Sequence, residues 1–305
     1  MWAWAERWPP HRAKVSSSYG GGRLVSEGAD SAVRRGDLEK LSSKVLADRG
    51  LDLGQYRRAY LERRLAARLR ALDLSTYREY SDVLAENPAE YENLLATLTI
   101  NVTDFFRDKP VWDILRERVL PDLIADKMRS KSRTIRVWSA GCASGEEPYS
   151  LAMAILAALG TDRDKFLITI LATDLDENII KTAALGRYET AKLRHIPEAF
   201  RSKYTHALSD TEFEVVPEVR RLVRFRHSSL FDSSPMKVAD LILCRNVFIY
   251  LDRARQSRVL ETFWGSMARG GYMVLGRSEK MSIEASHRFE SVVPRERIYR
   301  KPSRA

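Results

Sequence analysis

Two glycines in SAGCASGEEPYS (139–150), Gly141 and Gly145, are followed at once by two carboxylates, Glu146 and Glu147. Glycines at this spacing permit a tight turn and close backbone approach to a ligand, and Pro148 suits the first turn of a following helix. A phosphate-cradling loop would place Gly-Lys-Ser/Thr here. Carboxylates at that helix start suit the helix dipole but would repel a phosphate. The chemistry favoured is recognition of a cationic, phosphate-free molecule, and the alternative is an ordinary strand-to-helix turn with capping glutamates.

A second candidate is Asp174 in ATDLDENII (172–180). An acid at the end of a second parallel strand can accept both hydroxyls of an adenosine ribose. It could also cap the next helix, a role that Asp176 fits better. Together the loop and the acid suit S-adenosylmethionine, which carries an ammonium, a sulfonium and a ribose but no phosphate. The five histidines, His11, His195, His206, His227 and His287, show no acid–base or metal-ligand pattern and read as surface or packing residues. The two cysteines, Cys142 and Cys244, are far apart and read as small buried thiols, so no metal is expected.

These residues need a scaffold. The chain has 305 residues, 44% hydrophobic and 30% charged, enough for one large domain and a small one. IRVWSA (135–140), FLITILATD (166–174), VADLILCRN (238–246) and GYMVLGRS (271–278) are continuous in hydrophobicity, as parallel strands covered on both faces are. The fold class expected is α/β, a doubly wound sheet whose ligand sits outside the carboxyl ends of its strands. Residues 1–36 lack periodicity and read as a disordered tail. Residues 37–99 read as a small helical domain, with one helix ending at Gly50, a long one over Gln55–Leu72 and two shorter ones, the last opened by Pro88. Residues 100–305 form the α/β domain, interrupted at about 188–226 by a β insertion in which EFEVV and VRRLVRFR alternate around Pro217 like antiparallel strands.

No run approaches the roughly 20 apolar residues that cross a bilayer, and MWAWAERWPP lacks the apolar stretch of a signal peptide. A cytoplasmic protein, not inserted in a membrane, is expected. The net charge of +10 favours an acidic partner without choosing among nucleic acid, anionic membrane and acidic protein.

Five blocks in order, LTINVTDFFRD (98–108), RVWSAGCASGEEPYSLAM (136–153), ILATDLDENIIKTAALGRY (170–188), ADLILCRNVFIYLD (239–252) and GGYMVLGRSEKM (270–281), resemble the chemotaxis receptor glutamate O-methyltransferases, the CheR family. The resemblance covers roughly residues 37–300. It implies a Rossmann-like S-adenosylmethionine-dependent methyltransferase with an N-terminal helical domain and a small β insertion, one that esterifies glutamate side chains on chemoreceptor cytoplasmic helices. Carried over by position, the cofactor contacts fall on Asn101, Thr103, Arg107, Glu147, Asp174 (the ribose), Ser229, Leu230, Arg245 and Asn246, with Tyr250 near the transferred methyl. Ser229 departs from the family's usual asparagine at that position and has a shorter reach toward an adenine edge.

A glutamate carboxylate is already ionised near pH 7 and a sulfonium methyl is already activated, so no general base is needed. Arg107 and Tyr250 are the expected catalytic pair, holding the attacking carboxylate. In YRRAYLERRLAARLRAL (56–72), Arg57, Arg64 and Arg68 fall within an arc of about 40° on a helix, beside a leucine face of Leu61, Leu65, Leu69 and Leu72. The family's helical domain contacts an acidic receptor helix, so this stripe is the expected docking surface. In some members the β insertion binds a receptor C-terminal peptide through a glycine-containing loop. THALSDTEFEVVPEV (205–219) has no glycine, and that tether mode is not expected here. Monomer is the default state. RNVFIY lacks both prolines of the D/N-P-P-Y/F motif common in base-directed methyltransferases, which argues against nucleic acid as substrate. A nicotinamide oxidoreductase is opposed by the loop, which is not G-x-G-x-x-G. A non-catalytic module that binds the cofactor as a ligand is the remaining alternative.

Overall fold

The computed structural model describes residues 24–99, 101–281 and 286–303. Among the described residues ten strands are formed: β1 (Thr134–Ala140), β2 (Leu167–Asp174), β3 (Arg187–Glu189), β4 (Thr205–Ala207), β5 (Glu212–Val215), β6 (Val223–His227), β7 (Ala239–Cys244), β8 (Met267–Leu275), β9 (Glu290–Val293) and β10 (Ile298–Arg300). Seven make the main sheet, ordered β6-β2-β1-β7-β8-β10-β9, and three make a small sheet, β3-β5-β4. Pairing is parallel from β6 through β8, while β10 runs antiparallel to both β8 and β9. β1 and β7 lie inside the sheet, and every residue of β7 is buried, including Asp240, whose carboxylate pairs with Lys127 at 2.6 Å. Apart from Asp240 and Arg136 these segments read as apolar runs. The helix Glu146–Leu159, buried along nearly its whole length, covers one face. Arg253–Ser266 covers the other, turning Val259, Leu260 and Phe263 inward against Trp138 and Ile242.

The small sheet confirms an antiparallel insertion but corrects its extent. VRRLVRFR does not join it: Val223–His227 pairs in parallel with β2, from Ile170/Val223 to Asp174/His227. Pro217 opens a short helix, Pro217–Arg220, between the two sheets. The misreading has a plain cause. β6 is an edge strand with one exposed side, so its residues alternate as an antiparallel strand's would.

The helical segment comprises Leu24–Arg49, Arg58–Ala71, Tyr77–Glu86 and Ala89–Leu98. The first of these begins well inside the stretch read as a tail and runs through Gly36, so the tail reading fails for residues 24–36; residues 1–23 lie outside the described residues. Thr76 and Glu79 form a reciprocal capping box at the start of the third helix. Leu41, Val45, Leu53, Leu65, Tyr80 and Leu94 form the centre of a separate apolar core. Leu61 and Leu65 are buried as expected, Leu69 and Leu72 pack at its edge, and Arg58, which falls among these leucines on the wheel, turns out to pair with Glu62.

Candidate active site

The carboxyl ends of β1, β2 and β7 converge on one rim, where the sequence places SAGCASGEE, ATDLDE and CRNVFIY. The loop after β1 is pinned to β2: the Gly141 and Cys142 amides donate to Thr173 O at 2.8 and 3.0 Å. Gly141 has φ 78°, and a Cβ there would lie 2.6 Å from Val247 Cγ2, so only glycine fits. Glu146, fully buried, is held by Ser144 Oγ and the Lys192 ammonium, and so braces the loop against the insertion rather than facing a ligand.

A cavity of about 430 Å³ opens on this rim. All nine expected cofactor residues line it, with Tyr250 beside them. Their polar groups divide into two sets. Glu147 and Asp174 stand at the ends of β1's loop and β2. Glu147 Oε1 accepts from Ser139 Oγ at 2.8 Å and its other oxygen lies 3.4 Å from Arg245 Nη1. Asp174 accepts from the Ala143 and Asp176 amides at 2.9 and 3.1 Å. Burial pushes both carboxyls above the ordinary carboxylate range, against the opposing pull of Arg245 on Glu147 and of backbone amides on Asp174.

The second set is committed to the protein itself. Arg245 bonds Asp108 Oδ2 at 2.7 Å and Arg107 O at 2.9 Å as well as Glu147, and its Nε is buried without a partner among the described residues. It fixes the Arg107 segment over the cavity. The Asn101 amide donates to Asp176 Oδ2 at 3.0 Å, and Asp176 caps Glu177–Leu185 through Asn178 and Ile179, the role expected of it. The Ser229 hydroxyl accepts from the Phe231 amide at 3.2 Å, which turns it back on its own loop. Arg107 donates to Val102 O at 2.8 Å and has no carboxylate partner among the described residues. Phe106 and Asp108 on either side of it have φ 50° and 62°, and Asn246 has φ 62°, a concentration of left-handed backbone typical of functional loops.

Glu279 is the residue that sequence reasoning missed. It is 2% exposed. Its Oε2 accepts from the Gly276 and Asn246 amides at 2.6 and 3.1 Å, and Oε1 from the Ile249 amide at 3.3 Å. One carboxylate thus ties the end of β8 to the turn that carries Arg245, Asn246 and Tyr250. Burial raises its pKa, opposed by these amides. The only signal in the sequence was its place in GGYMVLGRSEKM, which gave no hint of its partners.

The helical segment also forms part of the wall, through Gln55 and Tyr56. Tyr56 makes an isolated antiparallel bridge to Leu251, and the Arg57 amide donates to Tyr250 O at 2.8 Å. Tyr60 packs on Tyr250 with ring centroids 4.8 Å apart. Burial first, and Tyr60 second, raise the Tyr250 phenol, which stays protonated at neutral pH.

The expected stripe of Arg57, Arg64 and Arg68 is not one free surface. Arg57 Nε donates to Leu251 O at 2.7 Å, stitching the segment to the site. Arg68 forms a two-pronged pair with buried Glu90 at 2.7 and 2.8 Å, and Tyr80 completes the cluster at 2.8 Å. Arg64 lies over the Tyr60 ring at 5.2 Å. The helix expected over Gln55–Leu72 starts at Arg58, so Arg57, with ψ 132°, stands outside it as the preceding cap; the partner of Arg64 is one turn away and that of Arg68 is 22 residues along the chain. Cys142 and Cys244 are both buried, as expected. No helix among the described residues is long and apolar enough to cross a membrane.

An adenosine-bearing cation fits this cavity: two desolvated acids lie at its depth, most of its wall is apolar, and backbone is exposed at Gly141 where a side chain would intrude. Comparison with known proteins agrees. The family model for the CheR methyltransferase SAM binding domain matches residues 101–298, and that for the CheR methyltransferase all-alpha domain matches residues 36–99. A chemotaxis protein methyltransferase of Listeria monocytogenes is 36% identical over 255 residues, covering 82% of this chain and 94% of its own. A probable chemotaxis protein methyltransferase of Rhizobium etli is 34% identical over 254 residues (81% and 94%), and a chemotaxis protein methyltransferase of Borreliella burgdorferi 30% over 266 (86% and 93%). The chain belongs to the CheR family of S-adenosylmethionine-dependent methyltransferases.

Proposed function

We propose that this methyltransferase esterifies glutamate side chains on the cytoplasmic helices of chemoreceptors, giving glutamyl methyl esters and S-adenosylhomocysteine. The observation that carries the reading is the pairing of Arg107, free of any carboxylate partner among the described residues, with a protonated Tyr250 on one cavity whose depth holds Glu147 and Asp174. Such a site attracts a carboxylate at its mouth and a cation within.

S-adenosylmethionine supplies an activated methyl for in-line displacement. Asp174 would accept the ribose hydroxyls, and Glu147 would hold the cationic end. Ser229, Leu230, Asn101 and Thr103 would hold the remainder of the cofactor. Arg245 holds Glu147 and the Arg107 backbone in place, and Asn246 shapes the turn beneath. The Arg107 guanidinium and the Tyr250 hydroxyl orient the attacking carboxylate, so catalysis rests on positioning and electrostatics. The closed β4–β5 hairpin without glycine supports the absence of a tether-binding mode, and specific binding of an isolated receptor tail peptide would overturn it. A monomeric cytoplasmic enzyme fits the reading, with chromatographic mass as the check.

The test is transfer of radiolabelled methyl to receptor cytoplasmic fragments, followed by mild base. Volatile methanol identifies a carboxyl ester, and Arg107→Ala is expected to abolish it. Near-intact transfer by that variant would remove Arg107 from the mechanism.

A further inference from the structure

Behind the Asp104–Arg107 segment lies a second cavity of about 570 Å³, sharing Asp104 and Arg107 with the first. Four acids line it, and three already face a cation: Asp113 pairs with Lys109 at 2.6 Å, Glu198 with Arg201 at 2.8 Å and Asp108 with Arg245 at 2.7 Å, while Asp104 lies 3.6 Å from the His195 ring. Three arginines remain. Arg107, Arg116 and Arg194 have no carboxylate partner among the described residues. Arg116 lies over the Phe200 ring at 5.9 Å, and Arg194 Nε donates to His195 Nε2 at 2.9 Å. Both keep guanidinium donors to spare. Phe106 and Trp112, packed edge to face at 5.0 Å, supply an apolar floor. Such a chamber, partly shielded from water and with excess positive charge, suits a carboxylate on a short apolar stem.

We propose that this cavity takes a second acidic side chain of the substrate helix, one neighbouring the glutamate presented to Arg107, and that Arg116 and Arg194 select substrates by it. The inference rests on the glutamate methyltransferase reading. On a helix, side chains three or four residues apart project side by side, so one helix can reach both cavities across the wall they share.

The experiment measures steady-state methylation of a receptor cytoplasmic fragment by the full chain at saturating cofactor. Arg194→Glu and the double change Arg116→Glu/Arg194→Glu are compared with the native enzyme, with Arg116→Lys as the conservative control. The expected result is a KM for the fragment raised about tenfold in the double variant, the scale of one or two partly screened ion pairs. Turnover, cofactor affinity and melting temperature stay near native. On a fragment whose acids flanking the acceptor are changed to glutamine, the native enzyme and the double variant converge on one KM. An unchanged KM on the intact fragment, or an equal penalty on both fragments, overturns the proposal. If the native chain labels no receptor fragment, the underlying function fails and this inference fails with it.

Discussion

Replacing Glu279 tests whether one buried carboxylate organises the catalytic turn. Glu279→Ala strands three backbone amides, those of Gly276, Asn246 and Ile249, in a site that is 2% exposed. At about 1–3 kcal/mol for each unsatisfied buried donor, the gross loss is roughly 3–9 kcal/mol. Relief of the desolvated charge and entry of water return part of it, leaving about 3–5 kcal/mol, a large share of a typical stability of about 5–15 kcal/mol. Glu279→Gln is the more informative variant. Its carbonyl oxygen can keep the two bonds on the Oε2 side, while its amide group confronts the Ile249 N–H, a loss of roughly 1–3 kcal/mol. The melting temperature should fall by roughly 3–10 °C. The Asn246–Tyr250 turn shifts with it, and because a displacement near 1 Å can cost a hundredfold, turnover should fall about 10- to 100-fold. Differential scanning fluorimetry and methyl-transfer kinetics on the same preparation give both numbers. A glutamine variant with native melting temperature and native turnover would refute the argument.

Arg68→Ala should destabilise the helical segment by about 3–5 kcal/mol by leaving buried Glu90 without its cation; chemical denaturation reads this, and a changed substrate KM with full stability would instead restore Arg68 to a docking surface. Gly141→Ala places a methyl against Val247 at a φ of 78°, and calorimetric titration should show cofactor binding weakened at least about tenfold. Tyr250→Phe should lower turnover about 10- to 100-fold with cofactor affinity unchanged, and equal losses in both would assign the hydroxyl to the pocket's structure. The pH dependence follows from the raised carboxyls of Glu147 and Asp174. A group whose folded pKa exceeds its unfolded value favours folding most below the unfolded value, and that contribution is lost as pH rises through the folded one. A bound cation favours the ionised forms, so thermal stabilisation by S-adenosylmethionine should grow as pH rises above the ordinary carboxylate range of about 4, and a pH-independent shift would contradict it.

The parts legible in the sequence were those written in local pattern. β1, β2, β7 and β8 lie inside the sheet and are mostly apolar, broken only by Arg136, Asp240 and Arg269 among charged residues before the terminal Asp174, so they could be read within a few residues. Gly141, Glu147 and Asp174 sit at the ends of those runs, where an α/β sheet binds its ligands. β6, β9 and β10 are short strands at or near the sheet's edges, with mixed polarity, and escaped or were misassigned. The remaining gaps were contacts over long separations. Arg57 meets Leu251 and Glu279 meets Asn246, distant in the chain and joined only by the fold. Periodicity shows which face a residue occupies, but it does not show what stands opposite.

The bridge from Tyr56 to Leu251, together with the Arg57 bonds, has a bearing on how such proteins can be recombined. The two segments that match separate family models meet in a seam that walls the cofactor cavity. A chimera taking residues 36–99 from one relative and 101–298 from another inherits half of that seam from each parent. Compatibility at positions 55–57 and 250–251, rather than overall identity, then decides whether the hybrid retains a closed pocket.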